Sequence, residues 1–337
     1  MPAEHHAHHG FRELAATRSR RDFLVALGAL GLGAAAVACT KSSPREGPPT
    51  PSAEAGSIVA LVDGNEQLSL FSGGGEPDAP LVPGKQLFGF ALTTKQSTLV
   101  TGGSPQVYIA TDQTSKAAGP FAATWYPFSG YEATHDQSPR SPIAQGLYSV
   151  ELDFPKAGNW YVAAVAQGGS GTAVGVGAAA VAPTAANAPG SKATSVHTPV
   201  ATSGTALEQI CTRKPACHMH AISLDAALRN GKPTVVTFST PALCQSQLCG
   251  PVTDEQILVS QQYGGKANFI HVEEFLRGPD LQYPAATAPN RSPGFKAWHL
   301  LSEPWVFVID RKGVISARLG PGPVVAPQIE QELKKVL

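Results

Sequence analysis

The sequence predicts an α/β domain, a mixed sheet flanked by helices, behind an all-β sandwich domain. Three observations carry this. Tyr148, Val150, Leu152 and Phe154 alternate with Ser149, Glu151 and Asp153, a period of two that gives a strand one apolar and one polar face. Residues 206–337 instead order themselves as helix, strand, cysteine loop, helix, strand, long connection, strand hairpin and helix. The 337 residues include 34 glycines and 29 prolines but only 15% charged side chains, which suits loop-rich β structure better than a helical bundle. Formal net charge is zero, so the composition implies neither a nucleic-acid partner nor an acidic substrate.

Residues 1–38 read as an export signal. "SRRDFLVALGALGLGAAAVAC" places Arg20 and Arg21 before an uncharged run of Leu, Gly and Ala that ends at Cys39. The run is short for a membrane span. Ser19 to Leu24 resembles a twin-arginine signal, with Val25 where a basic residue is usual. Ala36-Val37-Ala38 suits cleavage, and Cys39 after it resembles a bacterial lipobox, with Ala36 where Leu is commoner. The resemblance implies lipidation of Cys39 and anchoring at the outer face of the bacterial cytoplasmic membrane; ordinary cleavage beside an incidental cysteine is the alternative. Residues 39–56 read as a flexible tether. "HHAHH" (5–9) precedes the signal and would be removed with it.

Residues 57–182 form the predicted sandwich, with candidate strands "SIVALV", "LFGFALT", "VYIAT", "GLYSVELDF" and "WYVAAVA" and the turn "PKAGN" between the last two. "GLYSVELDFPKAGNWYVAAVA" resembles Ig-like modules of bacterial extracytoplasmic proteins, including YtkA-like and CopC-like groups, and carries over no ligand. His135 beside Asp136 reads as a solvated loop pair and Trp160 as core. Residues 183–205, rich in Pro, Ala, Ser and Thr, read as a linker in which His197 is inert.

In the C-terminal part, "SLDAALRNG" (223–231) has Ser223 as N-cap and Gly231 as stop. "PTVVTF" (233–238) is a strand rich in β-branched residues, and a helix follows from Pro251 to about Tyr263. "NFIHVEEF" (268–275) is the second strand. "PWVFVID" and "VISARL" flank Arg311-Lys312-Gly313 as an antiparallel hairpin. "PQIEQELKKVL" is an amphipathic helix in which Glu330 can pair with Lys334. The strand ending at Phe238, the cysteine loop opening a helix, and Pro304 directly before an apolar strand together resemble the thioredoxin fold. That resemblance implies a cis Pro304 beside the cysteines.

With Cys39 lipidated, four cysteines remain: Cys211, Cys217, Cys244 and Cys249. An even number in an oxidising compartment suggests two disulfides, or a dithiol and a disulfide. Cys244 and Cys249 are spaced C-x4-C, whereas the thioredoxin family carries C-x-x-C. Either Cys244 replaces the first family cysteine, or Cys249-Gly250-Pro251 matches the start of a CGPC motif with Val252 in place of its second cysteine. On one ideal helix, side chains five residues apart point about 140° apart, so Cys244 must lie in the loop to pair with Cys249. A reversible Cys244–Cys249 bond is expected, with Cys244 attacking, Cys249 resolving and Pro304 beside them; a permanent staple is the alternative. A helix N-terminus stabilises thiolate there.

"CTRKPACHMH" (211–220) offers a Cys211–Cys217 staple, or a soft-metal set of Cys217, His218, Met219 and His220 suited to copper. Sco-like copper proteins combine the same fold with two cysteines and a distant histidine, for which His271 and His299 are candidates, but their C-x3-C spacing is missing here. Glu273 and Glu274 read as a solvated strand end, and Glu303 as a neighbour of the dithiol. The function expected is thiol–disulfide exchange with extracytoplasmic protein thiols or disulfides, without a cofactor. Sco-like copper handling and a non-catalytic binding module with structural disulfides are the alternatives.

Overall fold

The computed structural model describes residues 53–129, 145–168, 171–202, 205–244 and 246–337. The export signal, Cys39 and its tether up to residue 52, and His135 lie outside the described residues. No described helix is long and apolar enough to cross a membrane. The described chain is mostly β, with few and mainly short helices in and around two sheets.

The first sheet contains β1 (Glu66–Gly73), β2 (Gly84–Thr93), β3 (Leu99–Val100), β4 (Gln106–Ala110), β5 (Ala118–Ala122), β6 (Thr124–Pro127), β7 (Gly146–Phe154), β8 (Gly158–Gly168) and β9 (Gly171–Val181). Its order is β5-β4-β8-β9-β1-β2-β7-β6, with β3 on β2. The edge strands β5 and β6 are separated in the chain by Ala123 alone, so the sheet curls until it is nearly closed. Phe88, Phe90, Leu152, Phe154, Trp160 and Val162 fill its interior.

Two facing sheets were expected, and one continuous sheet is found. The reason is β1, which pairs antiparallel with β2 and parallel with β9 and so bridges the halves. Neither β1 nor β9 was anticipated. β9 reads GTAVGVGAAAV, with too many small residues for alternation to register. Its Gly175 is required for packing: a Cβ there would lie 2.5 Å from Leu92 Cδ2. The expected first strand is instead a short helix, α1 (Ile58–Val62), because Ser57 Oγ caps it by accepting from Ala60 N (3.3 Å) and Gln113 O accepts from Val59 N (3.0 Å).

The second sheet has β10 (Thr234–Phe238), β11 (Asn268–Val272), β12 (Trp305–Ile309) and β13 (Ile315–Leu319) in the order β11-β10-β12-β13. β10 and β11 are parallel, with Thr237 opposite His271; β10–β12 and β12–β13 are antiparallel. The helices in this half are α2 (Leu207–Ile210), α3 (Leu224–Ala227), α4 (Cys249–Tyr263), α5 (Pro293–Ala297) and α6 (Ala326–Lys334). Every residue of β10 and β12 is buried, as a strand covered on both faces must be. Val306 and Val308 share one cluster with Val252 and Val259 of α4 and Ile329 and Leu333 of α6. Phe307 and Ile309 face the other way, with Phe238, Phe295 and Trp298. Each such Phe contributes about 1.5–3 kcal/mol by leaving water.

The two sheets belong to one compact unit. Phe128 and Leu147 lie in the same core cluster as Val252 and Ile329. The Glu255 carboxylate on α4 accepts from Ser129 N and Ala326 N, both at 2.6 Å, and Gln328 Nε2 donates to Ser149 Oγ (2.8 Å). Residues 183–202, expected to be a linker, are packed and bonded instead. Asn187 Nδ2 donates to Trp298 O, the Trp298 indole N–H donates to Thr194 O, and Ala193 N donates to Gly313 O. Their small and polar composition hid this role, because the anchoring groups are mainly backbone.

Candidate functional site

Both cysteine pairs lie around the C-terminal ends of β10 and β11. After Phe238, Ser239 and Thr240 lead into the loop that carries Cys244. Gln247 turns the chain at φ +60°, and α4 begins at Cys249. Cys244 therefore lies off the helix, as its spacing required. It is half-buried, while Cys249 is fully buried. Both are free thiols rather than the expected disulfide. Cys244 Sγ accepts from Cys249 N (3.3 Å) and lies 3.3 Å from Ser246 Oγ.

These contacts divide the pair. The Cys249 thiol bonds to Cys244 and, with Ser246 and the backbone N–H groups opposing burial, brings the Cys244 thiol down to about 6. Burial pushes the Cys249 thiol well above its ordinary value, helped by the bond to Cys244 and the charge on Glu303. A carboxylate oxygen of Glu303 and the two sulfurs all lie within 4.8 Å of one another. Burial also raises the Glu303 carboxyl well above the carboxylate range, helped by the charges of Cys244 and Glu274. The Glu303–Pro304 peptide is cis. Gly322 N donates to Pro304 O (3.0 Å), and Gly320, at φ +103°, sits where a Cβ would come within 2.6 Å of the same oxygen.

The second pair has different surroundings. Cys211 follows α2, and Cys217 lies across a short loop from it. Their sulfurs are free in this structure and 3.7 Å apart. Each also approaches His271 Nδ1, Cys217 at 3.4 Å and Cys211 at 3.7 Å. His220 packs against His271, with ring centroids 5.1 Å apart. Ligand atoms of Cys211, Cys217, His220 and His271 all lie within 4.8 Å of one another, and all four residues are buried.

This replaces the predicted metal set of Cys217, His218, Met219 and His220. His218 Nε2 points away to Ser260 Oγ (2.8 Å), and Met219 Sδ accepts from Gln256 Nε2 (3.2 Å). Those bonds take His218 and Met219 away from the sulfurs, so the four do not converge. Cys211 and His271, distant in sequence, take the vacated places; the pairing of Thr237 with His271 brings the latter in.

Glu273 and Glu274 are buried rather than solvated. Glu273 accepts from Thr212 N (2.6 Å) and Thr212 Oγ1 (3.1 Å), and Glu274 pairs with Arg291 (2.6 Å). Burial raises the Glu273 carboxyl to about 7, against the opposing pull of His271 and Thr212. Burial disfavours charge on His271, but Glu273 and Cys211 outweigh it and raise that imidazole to about 9. Cys211 is held below the thiol range by a bond from the Cys217 thiol, with burial opposing; Cys217 is pushed up by donating it. A hydroxyl chain joins the two pairs: Thr253 Oγ1 donates to Cys249 O (2.7 Å) and bonds Ser239 Oγ (2.8 Å), which lies 3.0 Å from His271 Nε2.

No protein-family profile and no curated protein matches the chain. A solved structure described as the crystal structure of Trgpx in apo form is similar to it over 43% of this chain and 95% of that one, at 11% identity and a TM-score of 0.26. That likeness carries no argument here, and the chemistry rests on the two cysteine clusters.

Proposed function

We propose that the chain is a thioredoxin-like thiol–disulfide exchange protein acting outside the cytoplasm, exported by its twin-arginine-like signal and held to the membrane by lipid on Cys39. Residues 206–337 form the exchange domain, packed beside the curled first sheet. The β11-β10-β12-β13 order, with a helical crossover between the parallel strands, favours this reading of the fold. The carrying observation is the asymmetric Cys244–Cys249–Glu303 group. It has one partly exposed cysteine whose thiol pKa is lowered, one fully buried thiol behind it, and a carboxyl within reach of both.

The reaction follows from that asymmetry. The Cys244 thiolate attacks one sulfur of a partner disulfide. A Cys244–partner bond forms, the partner's S–S bond breaks, and the leaving sulfur takes a proton from the Glu303 carboxyl. The Glu303 carboxylate then accepts the Cys249 proton as Cys249 attacks Cys244 Sγ, which breaks the mixed disulfide and releases the second partner sulfur as its thiolate. The partner is reduced by two electrons and the Cys244/Cys249 dithiol is oxidised. Pro304 positions Glu303 beside the sulfurs.

The test is the reduction potential of the pair, measured in graded glutathione buffers by counting trapped thiols. A value of roughly −270 to −120 mV supports exchange, whereas one below about −300 mV makes the pair a staple and the protein a binding module.

A further inference from the structure

Four buried side chains that the exchange reaction leaves unused converge on one point. We propose that Cys211, Cys217, His220 and His271 bind a single Zn²⁺ ion in a closed tetrahedral site. Zn–S bonds of about 2.3 Å and Zn–N bonds of about 2.0–2.1 Å in a regular tetrahedron place two sulfurs about 3.8 Å apart, and a sulfur and a nitrogen about 3.5 Å apart. The sulfurs here are 3.7 Å apart, and His271 Nδ1 lies 3.4 and 3.7 Å from them. One nitrogen of His220 completes a set within 4.8 Å.

The surroundings are built for a ligand. His271 Nε2 lies 3.1 Å from Ser239 O, which can only accept, so Nε2 carries a hydrogen, and Nδ1, which faces the sulfurs, gives up its proton when the ion binds. A ring nitrogen fixed through its partner's bond to a carbonyl is the usual support of a metal-binding histidine. His220 Nε2 is buried without a hydrogen-bond partner. The backbone holds the segment in place: His271 N donates to Met219 O, and Ala201 N donates to His220 O, both at 3.0 Å.

Charge favours a divalent ion over Cu⁺. Two thiolates and two neutral imidazoles around Zn²⁺ sum to zero, whereas Cu⁺ leaves a net negative charge. A buried negative site is costly, more so with the Glu273 carboxyl 3.6 Å from His271 Nε2. Binding releases two protons, which the thiols and His271 share beforehand. Four protein ligands leave no open position, so the ion ties the 211–220 segment to β11 rather than performing chemistry.

The reduced mature chain (residues 39–337, with Cys39→Ser), stripped by a chelator, is titrated with Zn²⁺ and separately with Co²⁺ as the spectroscopic probe. The expected result is one ion per chain, a tetrahedral Co²⁺ spectrum with thiolate charge-transfer bands, and Zn²⁺ protection of Cys211 and Cys217 from alkylation mapped by mass spectrometry. The Cys244→Ser/Cys249→Ser double variant retains the ion, while His220→Gln, which removes a ligand, weakens it by at least about 10–100-fold. Loss of the ion in the double variant would place it at the other cluster and overturn the proposal. So would an octahedral Co²⁺ spectrum, or no uptake by a chain with four titratable thiols. If His220→Gln fails to fold, alkylation of the unaltered chain decides alone: labelling of Cys211 and Cys217 that Zn²⁺ does not slow refutes the site.

Discussion

Two cysteine pairs lie within residues 211–249, in one domain and around the ends of the same two strands, yet their environments oppose each other. Cys244 is partly exposed in its loop, and its partner is fully buried next to a protonatable carboxyl. Cys211 and Cys217 are both sealed in, and the groups beside them are imidazoles. An accessible thiolate backed by a buried thiol can exchange with a partner. Two enclosed sulfurs facing two ring nitrogens can hold an ion and cannot reach a partner. Neighbours, rather than the spacing of the cysteines, set the chemistry of each pair.

The largest expected difference is in turnover. Cys244→Ser abolishes reduction of a disulfide substrate, whereas Cys211→Ser leaves the exchange step intact; equal losses in an assay of folded protein would break the contrast. Next is Glu303→Gln. Removing an acid–base group slows the step it assists by about 10²-fold, so the mixed disulfide on Cys244 should persist by about that factor in rapid-quench traps, with the first attack less affected. A third measurement sharpens the comparison by pH. Alkylation of Cys244 should rise through about pH 6 as the thiolate forms and level off by neutral pH. Buried Cys249 should stay unlabelled over that range. The smallest effect is that of Ser239→Ala on the chain's stability. The hydroxyl bridges Thr253 and His271, and its loss should cost about 1 kcal/mol in denaturant unfolding.

Much of the C-terminal architecture was legible. β-Branched runs marked β10 and β12, Gly313 marked the hairpin, and Glu330 pairs with Lys334 (2.8 Å) as its spacing suggested. The C-x4-C spacing requires Cys244 to leave the helix if the pair is to bond, and Cys244 lies in the loop ahead of α4. What could not be read was long-range convergence. Nothing in "CTRKPACHMH" reveals that His218 and Met219 turn away while His271, more than fifty residues on, turns in. The register of β10 against β11 decides that, and the sequence does not print it. The two glutamates after β11 misled for a related reason: two adjacent acids signal solvent, but Thr212 and Arg291 receive them inside the fold. In the first sheet, β9 escaped notice because close strand contact needed glycine and alanine where alternation would have needed large residues.

The packed segment 183–202 has a consequence for how the chain comes apart. Trp298 anchors a core, and its indole N–H is capped from that segment; Phe128 and Leu147 extend the other core from the first sheet. Severing the chain there would uncover the Trp298 core, while the cluster shared through Phe128 and Leu147 would still join the two sheets. Heat or denaturant should therefore melt residues 53–337 in one cooperative transition, with both sheets lost together rather than in sequence.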